Sequence, residues 1–323
     1  MTGSLSPGAS DRWLAAMPGV FVLIWSTGFV VARYGMPHAP PFTFLAARFF
    51  LSMLCLGLWA RLAGAAWPSG RAQWRHLAIT GLLMQAGYLG GVWAAVRWGI
   101  GAGTVSLIVG LQPLLTSVWV TGRAGRAGQE GASPTPVPGP RVPNDQSLGP
   151  RHWLGLLLGL CGLALVVGPK LGHGEVTPIN LGLALAALLS ITAGTLYQKH
   201  HVRPCDVRTA SGVQMMAALA LTAPLALVEL TLGGAVVDPH PELFGAMAWS
   251  VLVLTLGGSS LLYLLIARGA ATRVTSLMYL VPPCTAVLAW LLFDEPLDAG
   301  MIAGIALSVS GVLLVVRQSA RKA

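Results

Sequence analysis

Charge is what this sequence has least of. Only 10% of its 323 residues are Asp, Glu, Lys or Arg, against about a quarter in an average soluble domain. So few charges cannot cover a water-soluble surface of this size, and lipid must cover much of the chain instead. Cysteine is scarce as well. Cys55, Cys161 and Cys284 lie in apolar runs, Cys205 lies in a connection, and no CxxC spacing occurs, which excludes a disulfide framework and offers no metal spacing. HExxH, GxSxG and P-loop motifs are missing, and no carboxylates pair inside an apolar run. This argues against a metalloprotease, a serine hydrolase and a self-contained ATP-driven pump, and no cofactor is implied. The net charge of +9 comes from basic residues scattered singly between apolar runs, not gathered in the patch that nucleic-acid binding needs. Nucleic acid is therefore not an expected partner.

What the sequence has in abundance is apolar length. A helix needs about 20 such residues to cross the hydrocarbon core. Ten runs qualify, at residues 15–32, 41–60, 77–96, 102–120, 153–169, 179–197, 209–228, 244–267, 274–293 and 300–316. They are continuously apolar and not alternating, which favours helices over a barrel. The first run could be read as a cleavable signal, but it continues for a full span without a convincing small-residue cleavage site, so it is read as retained. With the N-terminus placed in the cytoplasm, the inner connections hold 14 of the 20 Lys and Arg residues and the outer ones 5, with Arg48 inside a span. This bias predicts both termini in the cytoplasm. Residues 123–150 contain six prolines and five glycines and read as a flexible cytoplasmic linker.

The halves echo each other. Val105-Ser106-Leu107 and Gln112-Pro113 correspond to Thr275-Ser276-Leu277 and Pro282-Pro283, offset by 170 residues, and Gly155 and Gly162 to Gly304 and Gly311, offset by 149. The linker in the first half accounts for the difference. Five spans per repeat is an odd number, so the second copy must enter the membrane from the opposite face. Inverted repeats of this kind are a common plan of secondary transporters. The expected fold is therefore an all-α polytopic membrane protein of ten transmembrane helices in two inverted five-helix repeats, at 13–170 and 178–317.

Several motifs match a known pattern in order and spacing. They are Trp25-Ser26-Thr27-Gly28-Phe29-Val30 in the first span, Ala46-Ala47-Arg48-Phe49-Phe50 in the second and Thr192-Ala193-Gly194-Thr195-Leu196-Tyr197 in the sixth. The ninth has Leu280-Val281-Pro282-Pro283 followed by Phe293-Asp294-Glu295-Pro296-Leu297. Over residues 13–317 the chain resembles the drug/metabolite transporter superfamily, its EamA-like members in particular. It departs from that pattern at Thr121-Gly122-Arg123, where the fourth span usually ends on an acidic residue, and in its long linker. The resemblance implies movement of small metabolites, such as amino acids, across a bacterial inner membrane, often outward. It does not specify the substrate.

Arg48 is the sharpest candidate, because an arginine inside a span costs at least ~2.5 kcal/mol on insertion scales and such residues face a cavity or a partner. Snorkelling to the near interface is the alternative. Glu229 ends the seventh span, where it could carry a coupling proton or serve as an interfacial group. Gln85, Gln112 and Gln214 need partners that lipid does not offer, and Gln112, next to Pro113, is the cavity candidate among them. Trp25, Tyr88, Tyr263 and Tyr279 are the aromatic candidates for a substrate site, the other reading being an interfacial belt. Pro113, Pro282 and Pro283 could act as hinges or as static kinks. His200 and His201 read as solvated, and no metal site is expected. The small-residue faces Gly155/Gly159/Gly162 and Gly304/Ser308/Gly311 should pack helices closely; if they do so between copies, the result is a homodimer.

Together these features point to a secondary transporter working by alternating access, with the cavity lined by spans one, three, four, six, eight and nine, with lipid and a small-molecule substrate as its partners. A membrane-embedded enzyme on a lipid-borne substrate, or a non-transporting scaffold or sensor working through the linker, are the competing classes.

Overall fold

The computed structural model describes residues 9–119, 150–172, 174–232, 236–267 and 278–322. Among these the chain is all helical: α1 (Ala9–Gly35), α2 (Pro41–Leu62), α3 (Arg71–Arg97), α4 (Ala102–Trp119), α5 (Pro150–Gly172), α6 (Pro178–His201), α7 (Val207–Thr231), α8 (residues 241–267), α9 (Met278–Phe293) and α10 (Ala299–Lys322). Helices α2 to α8 contain seven segments long and apolar enough to cross a membrane. The remaining three contain shorter apolar helices, at Gly19–Gly35, Met278–Phe293 and Ala299–Leu314. Most of the linker and the start of the expected ninth span lie outside the described residues.

The helix starts follow local chemistry. Proline opens α2, α6 and α8, a position where its missing N–H costs nothing. Thr177 and Asn180 form a reciprocal capping box on α6, and Asp206 caps α7, each satisfying N–H groups that a helix start leaves free. Two helices are capped from elsewhere in the fold. Glu229 at the end of α7 accepts from Phe42 N (3.2 Å) and Thr43 N (2.8 Å) at the start of α2. Glu295 accepts from Ala102 N (2.8 Å) and Gly103 N (3.2 Å) at the start of α4. A carboxylate at a helix N-terminus meets both free donors and the positive end of the dipole.

The connections gather on two polar rims. On the first, His38 between α1 and α2 meets Asp238 before α8 (2.9 Å), Arg97 at the end of α3 donates to Met36 O, and Asn180 donates to Trp98 O (3.0 Å). On the second, Gln73 donates to Arg203 O (2.9 Å) and Thr209 to Ala66 O (3.0 Å), joining the α2–α3 connection to the α6–α7 connection. Between the rims the body faces outward with leucine: Leu58, Leu157, Leu189, Leu227 and Leu291 are between 58% and 62% exposed. Water would not tolerate a continuous leucine surface of this kind; lipid suits it.

Helix α2 packs on α7, α3 on α6, α4 on α9, and α5 on α10, while α1 crosses α8 and α9. The small residues of α5 and α10 meet each other within the chain. A Cβ on Gly311 would stand 2.5 Å from Gly155 O, and Ser308 donates to Gly159 O (3.3 Å). This internal pairing is how both small-residue faces are used. Helix α4 breaks at Gly110–Leu111, just ahead of Pro113, whose ring nitrogen cannot donate to the preceding turn. A Cβ on Gly110 would lie 2.7 Å from Pro282 Cγ, so the break sits against α9. Pro282 and Pro283 stand in the first α-helical turn of α9, after the 3₁₀ turn Met278–Leu280, and not in mid-helix. Helices α3 and α8 each widen into a π-helical segment, at Leu82–Gly87 and Trp249–Gly257. Segments of this kind are frequent at functional sites.

Candidate functional site

A cavity of about 550 Å³ runs from the middle of the body to the second rim. This lies within the ordinary range for small-molecule sites. Its walls come from α1, α2, α3, α6, α7 and α8. The described residues of α4 and α9, expected to face it, contribute nothing to its wall; the two helices pack against each other, with Gly110 against Pro282. Helices α2 and α7 take their place.

The deep end is built around Arg48. As the eighth residue of α2 it lies roughly 10 Å along the axis from the helix start at 1.5 Å per residue. It is 6% exposed and stands over the Trp93 ring, Cζ to centroid 5.9 Å. Its Nε is buried without a hydrogen-bond partner, and among the described residues no carboxylate pairs with it. Tyr88, from the turn after the π segment of α3, shares this wall. One turn nearer the first rim, Phe44 stacks on Trp93 (4.5 Å between centroids), and both rings are buried. This aromatic layer closes the cavity on that side.

Side chains along the wall mix amide and hydroxyl groups (Gln85, Gln214, Ser211, Thr255) with apolar and aromatic ones (Trp25, Phe29, Leu254). Lys199, Arg203 and Cys205 form the mouth on the second rim. Among the described residues that line the cavity there is no Asp or Glu. Tyr197 and His76 close the neighbouring corner through a 2.8 Å hydrogen bond. His200 and His201 form the last turn of α6, each ring nitrogen set against a carbonyl one turn back.

Of the residues singled out in the sequence, Trp25, Arg48 and Tyr88 meet in this cavity. Gln112 points elsewhere, donating to Thr195 Oγ1 (3.0 Å). Tyr279 is buried beside a separate small void with Gly110 and Pro282. The Tyr263 side chain lies outside the described residues. Glu229 stays on the first rim, engaged with α2 and also with Thr43 Oγ1 (3.0 Å), away from the cavity. The residues that sequence reasoning underweighted are Phe29, Ser211, Gln214 and Thr255. Ser211 and Gln214 carried a readable signal, since two polar residues three apart share one face of an otherwise apolar helix.

Comparison with known proteins agrees with this architecture. The EamA-like transporter family matches residues 16–124 and 179–317. A Bacillus subtilis protein described as "Uncharacterized transporter YvbV" is 25% identical over 96% of this chain and 93% of its own length. A Salmonella typhimurium protein described as "Probable amino-acid metabolite efflux pump" is 23% identical over 94% of each chain, and an Escherichia coli protein with the same description is 23% identical over 91% of each. A crystal structure of 18% sequence identity superposes with a TM-score of 0.58 over 94% of this chain and 98% of that one, which shows likeness of fold.

Proposed function

This chain belongs to the EamA-like transporter family, and from that premise we propose that it is a secondary transporter that exports small metabolites, such as amino acids or related compounds, by alternating access. The observation that carries this reading is the cavity itself. It holds Arg48, with a buried and unsatisfied Nε, at its deep end, reaches Lys199 and Arg203 on the second rim, and is backed toward the first rim by Phe44 stacked on Trp93. A cavity that joins an unsatisfied buried binding group to one rim is what one conformation of a carrier should present.

The packing supports two inverted repeats, at 13–170 and 178–317. Exchanging each helix for the one five places on leaves the pairings α2–α7, α4–α9 and α5–α10 unchanged, and turns α1–α8 into α6–α3 and α1–α9 into α6–α4. The π-helical segments obey the same exchange, one in α3 and one in α8. Ten crossings with both termini in the cytoplasm of a bacterial inner membrane follow from this plan and from the basic bias of the second rim. The cavity would then open to the cytoplasm, where an exporter collects its cargo. In this reading Trp25, Arg48 and Tyr88 contact the substrate, and the break before Pro113 serves as a hinge.

Purified protein reconstituted into liposomes should exchange a labelled amino acid or related metabolite across the membrane, and Arg48→Ala should abolish that exchange while the protein still inserts. If folded wild-type protein moves no compound from a broad metabolite panel, the transporter reading fails and the linker becomes the segment to delete next.

A further inference from the structure

We propose that the cavity is built for a net-anionic cargo, a small carboxylate carrying an apolar or aromatic body, in preference to a zwitterion or a cation. This rests on the transporter reading above and specifies its substrate class.

Three observations converge. The first is Arg48, 94% withdrawn from solvent, with a buried Nε that has no partner and, among the described residues, no carboxylate paired with it. A charge held in a low-dielectric site is strongly disfavoured unless it is paired. Among the described residues it meets the Trp93 face and no carboxylate, so the counter-charge arrives with the ligand. A guanidinium fork matches a carboxylate in a two-point hydrogen bond.

The second is the sign of the charge along the route. Lys199 and Arg203 stand at the mouth and Arg48 at the end, and no Asp or Glu lines the described wall between them. A cleft with low-dielectric walls focuses a potential of one sign and concentrates ligands of the opposite sign. A free amine would be repelled throughout. A zwitterion would satisfy Arg48 but would leave its ammonium to the neutral oxygens of Gln85, Gln214 and Thr255.

The third is the remaining wall. Trp25, Phe29 and Leu254 present apolar and ring surface to the same cavity as Arg48, which suits an organic body over a hydrated inorganic anion.

The test uses the full-length purified chain in detergent or nanodiscs at neutral pH. The probes are 3-phenylpropionate, phenylalanine and phenethylamine, which share one ring but are an anion, a zwitterion and a cation. 2-Phenylethanesulfonate serves as a permanently charged anion. Titration calorimetry should rank both anions tightest, with at least tenfold separation between 3-phenylpropionate and phenethylamine, and this gap should narrow as salt rises. Arg48→Gln should weaken 3-phenylpropionate at least tenfold and phenethylamine less than threefold. Arg48→Lys keeps the charge but not the fork, and should retain the ranking with weaker binding. The proposal is overturned if phenylalanine or phenethylamine binds tighter than the anions, if the anions do not bind wild-type protein, or if folded Arg48→Gln keeps the anion preference. Liposome exchange separates this from the parent reading. Anions that bind but are never moved sink transport and leave the site's chemistry standing; a zwitterion or cation that is moved while the anions are not sinks the cargo class alone.

Discussion

Replacing Arg48 by methionine should make the protein more stable and, at the same time, unable to bind or carry its cargo. Arg48 is 6% exposed and its Nε has no partner. An unsatisfied buried polar group costs about 1–3 kcal/mol, and an arginine within a span is disfavoured by roughly 2.5–3.5 kcal/mol on insertion scales. The compensation visible in the fold is the Trp93 face. At 5.9 Å from the centroid it lies near the outer limit of such contacts and is worth about 0.5 kcal/mol. Methionine keeps the unbranched apolar stem against its neighbours, so little packing is lost. The balance is a gain of ~1–2 kcal/mol, or an apparent melting rise of about 2–3 °C for a chain of this length. The measurement is thermal unfolding followed by size-exclusion chromatography in one detergent without ligand, with liposome exchange alongside. A variant that melts lower than wild type by a degree or more would mean that Arg48 holds helices together, and the binding argument would fall with it. A group that weakens the resting fold is best explained by a ligand that completes it.

Three further outcomes are expected. Gly311→Val places a side chain against Gly155 O and Gly159 N and should abolish monodisperse protein, whereas Gly182→Ala, whose added Cβ meets nothing within 4 Å, should stabilise by about 0.5–1 kcal/mol; expression and chromatographic profiles read both. Glu229→Gln removes the charged cap on α2 and should cost roughly 1 kcal/mol while leaving the pH profile of flux unchanged; a lost pH dependence would assign Glu229 the coupling proton instead. The pKa of His38 is raised by its hydrogen bonds to Asp238 and then Glu242. Its stabilising contribution is therefore complete below the ordinary histidine value of 6.5 and is lost as pH rises through the higher folded-state value. Wild-type melting temperature should fall between pH 6 and pH 8 more steeply than that of His38→Asn, and equal slopes would remove His38 from the rim's pH response.

The helices were legible because lipid imposes one rule over every span: about 20 apolar residues with all backbone groups satisfied internally. Arg48 was legible for the same reason, as the one basic residue that breaks the rule. The cavity walls were harder to read. A polar side chain within a span needs a partner, but sequence does not say whether the partner is a neighbouring helix or a ligand. Gln112 and Gln214 look alike in sequence, yet Gln112 bonds Thr195 while Gln214 faces the cavity. Glu229 could be read as an interfacial acid and Glu295 only as part of a motif, and their work as caps on α2 and α4 depends on helix ends brought together only by the tertiary fold. The π segments have no sequence signature at all, since one extra residue per turn leaves composition and hydropathy unchanged.

The two sides of the cavity differ in what holds them, and that difference makes the proposed cycle depend on cargo. The first rim is held by polar contacts such as His38 with Asp238 and Arg97 with Met36 O. Water can replace these at a net cost of about 0.5–1.5 kcal/mol each. The second rim stands open at Lys199 and Arg203, and closing it would strip the remaining water from Arg48. With the cavity empty, the guanidinium would pass through the occluded state unpaired, at a cost of ~1–3 kcal/mol. With a carboxylate seated, that cost vanishes. The difference corresponds to roughly 5- to 150-fold in rate. Exchange of internal for external cargo should therefore outrun net efflux by at least several-fold in liposomes, because only loaded carriers return. Arg48→Gln should lose that advantage along with affinity. Equal rates of exchange and net efflux in the wild type would show that the empty cavity closes as readily as the full one, and that Arg48 finds its counter-charge within the chain.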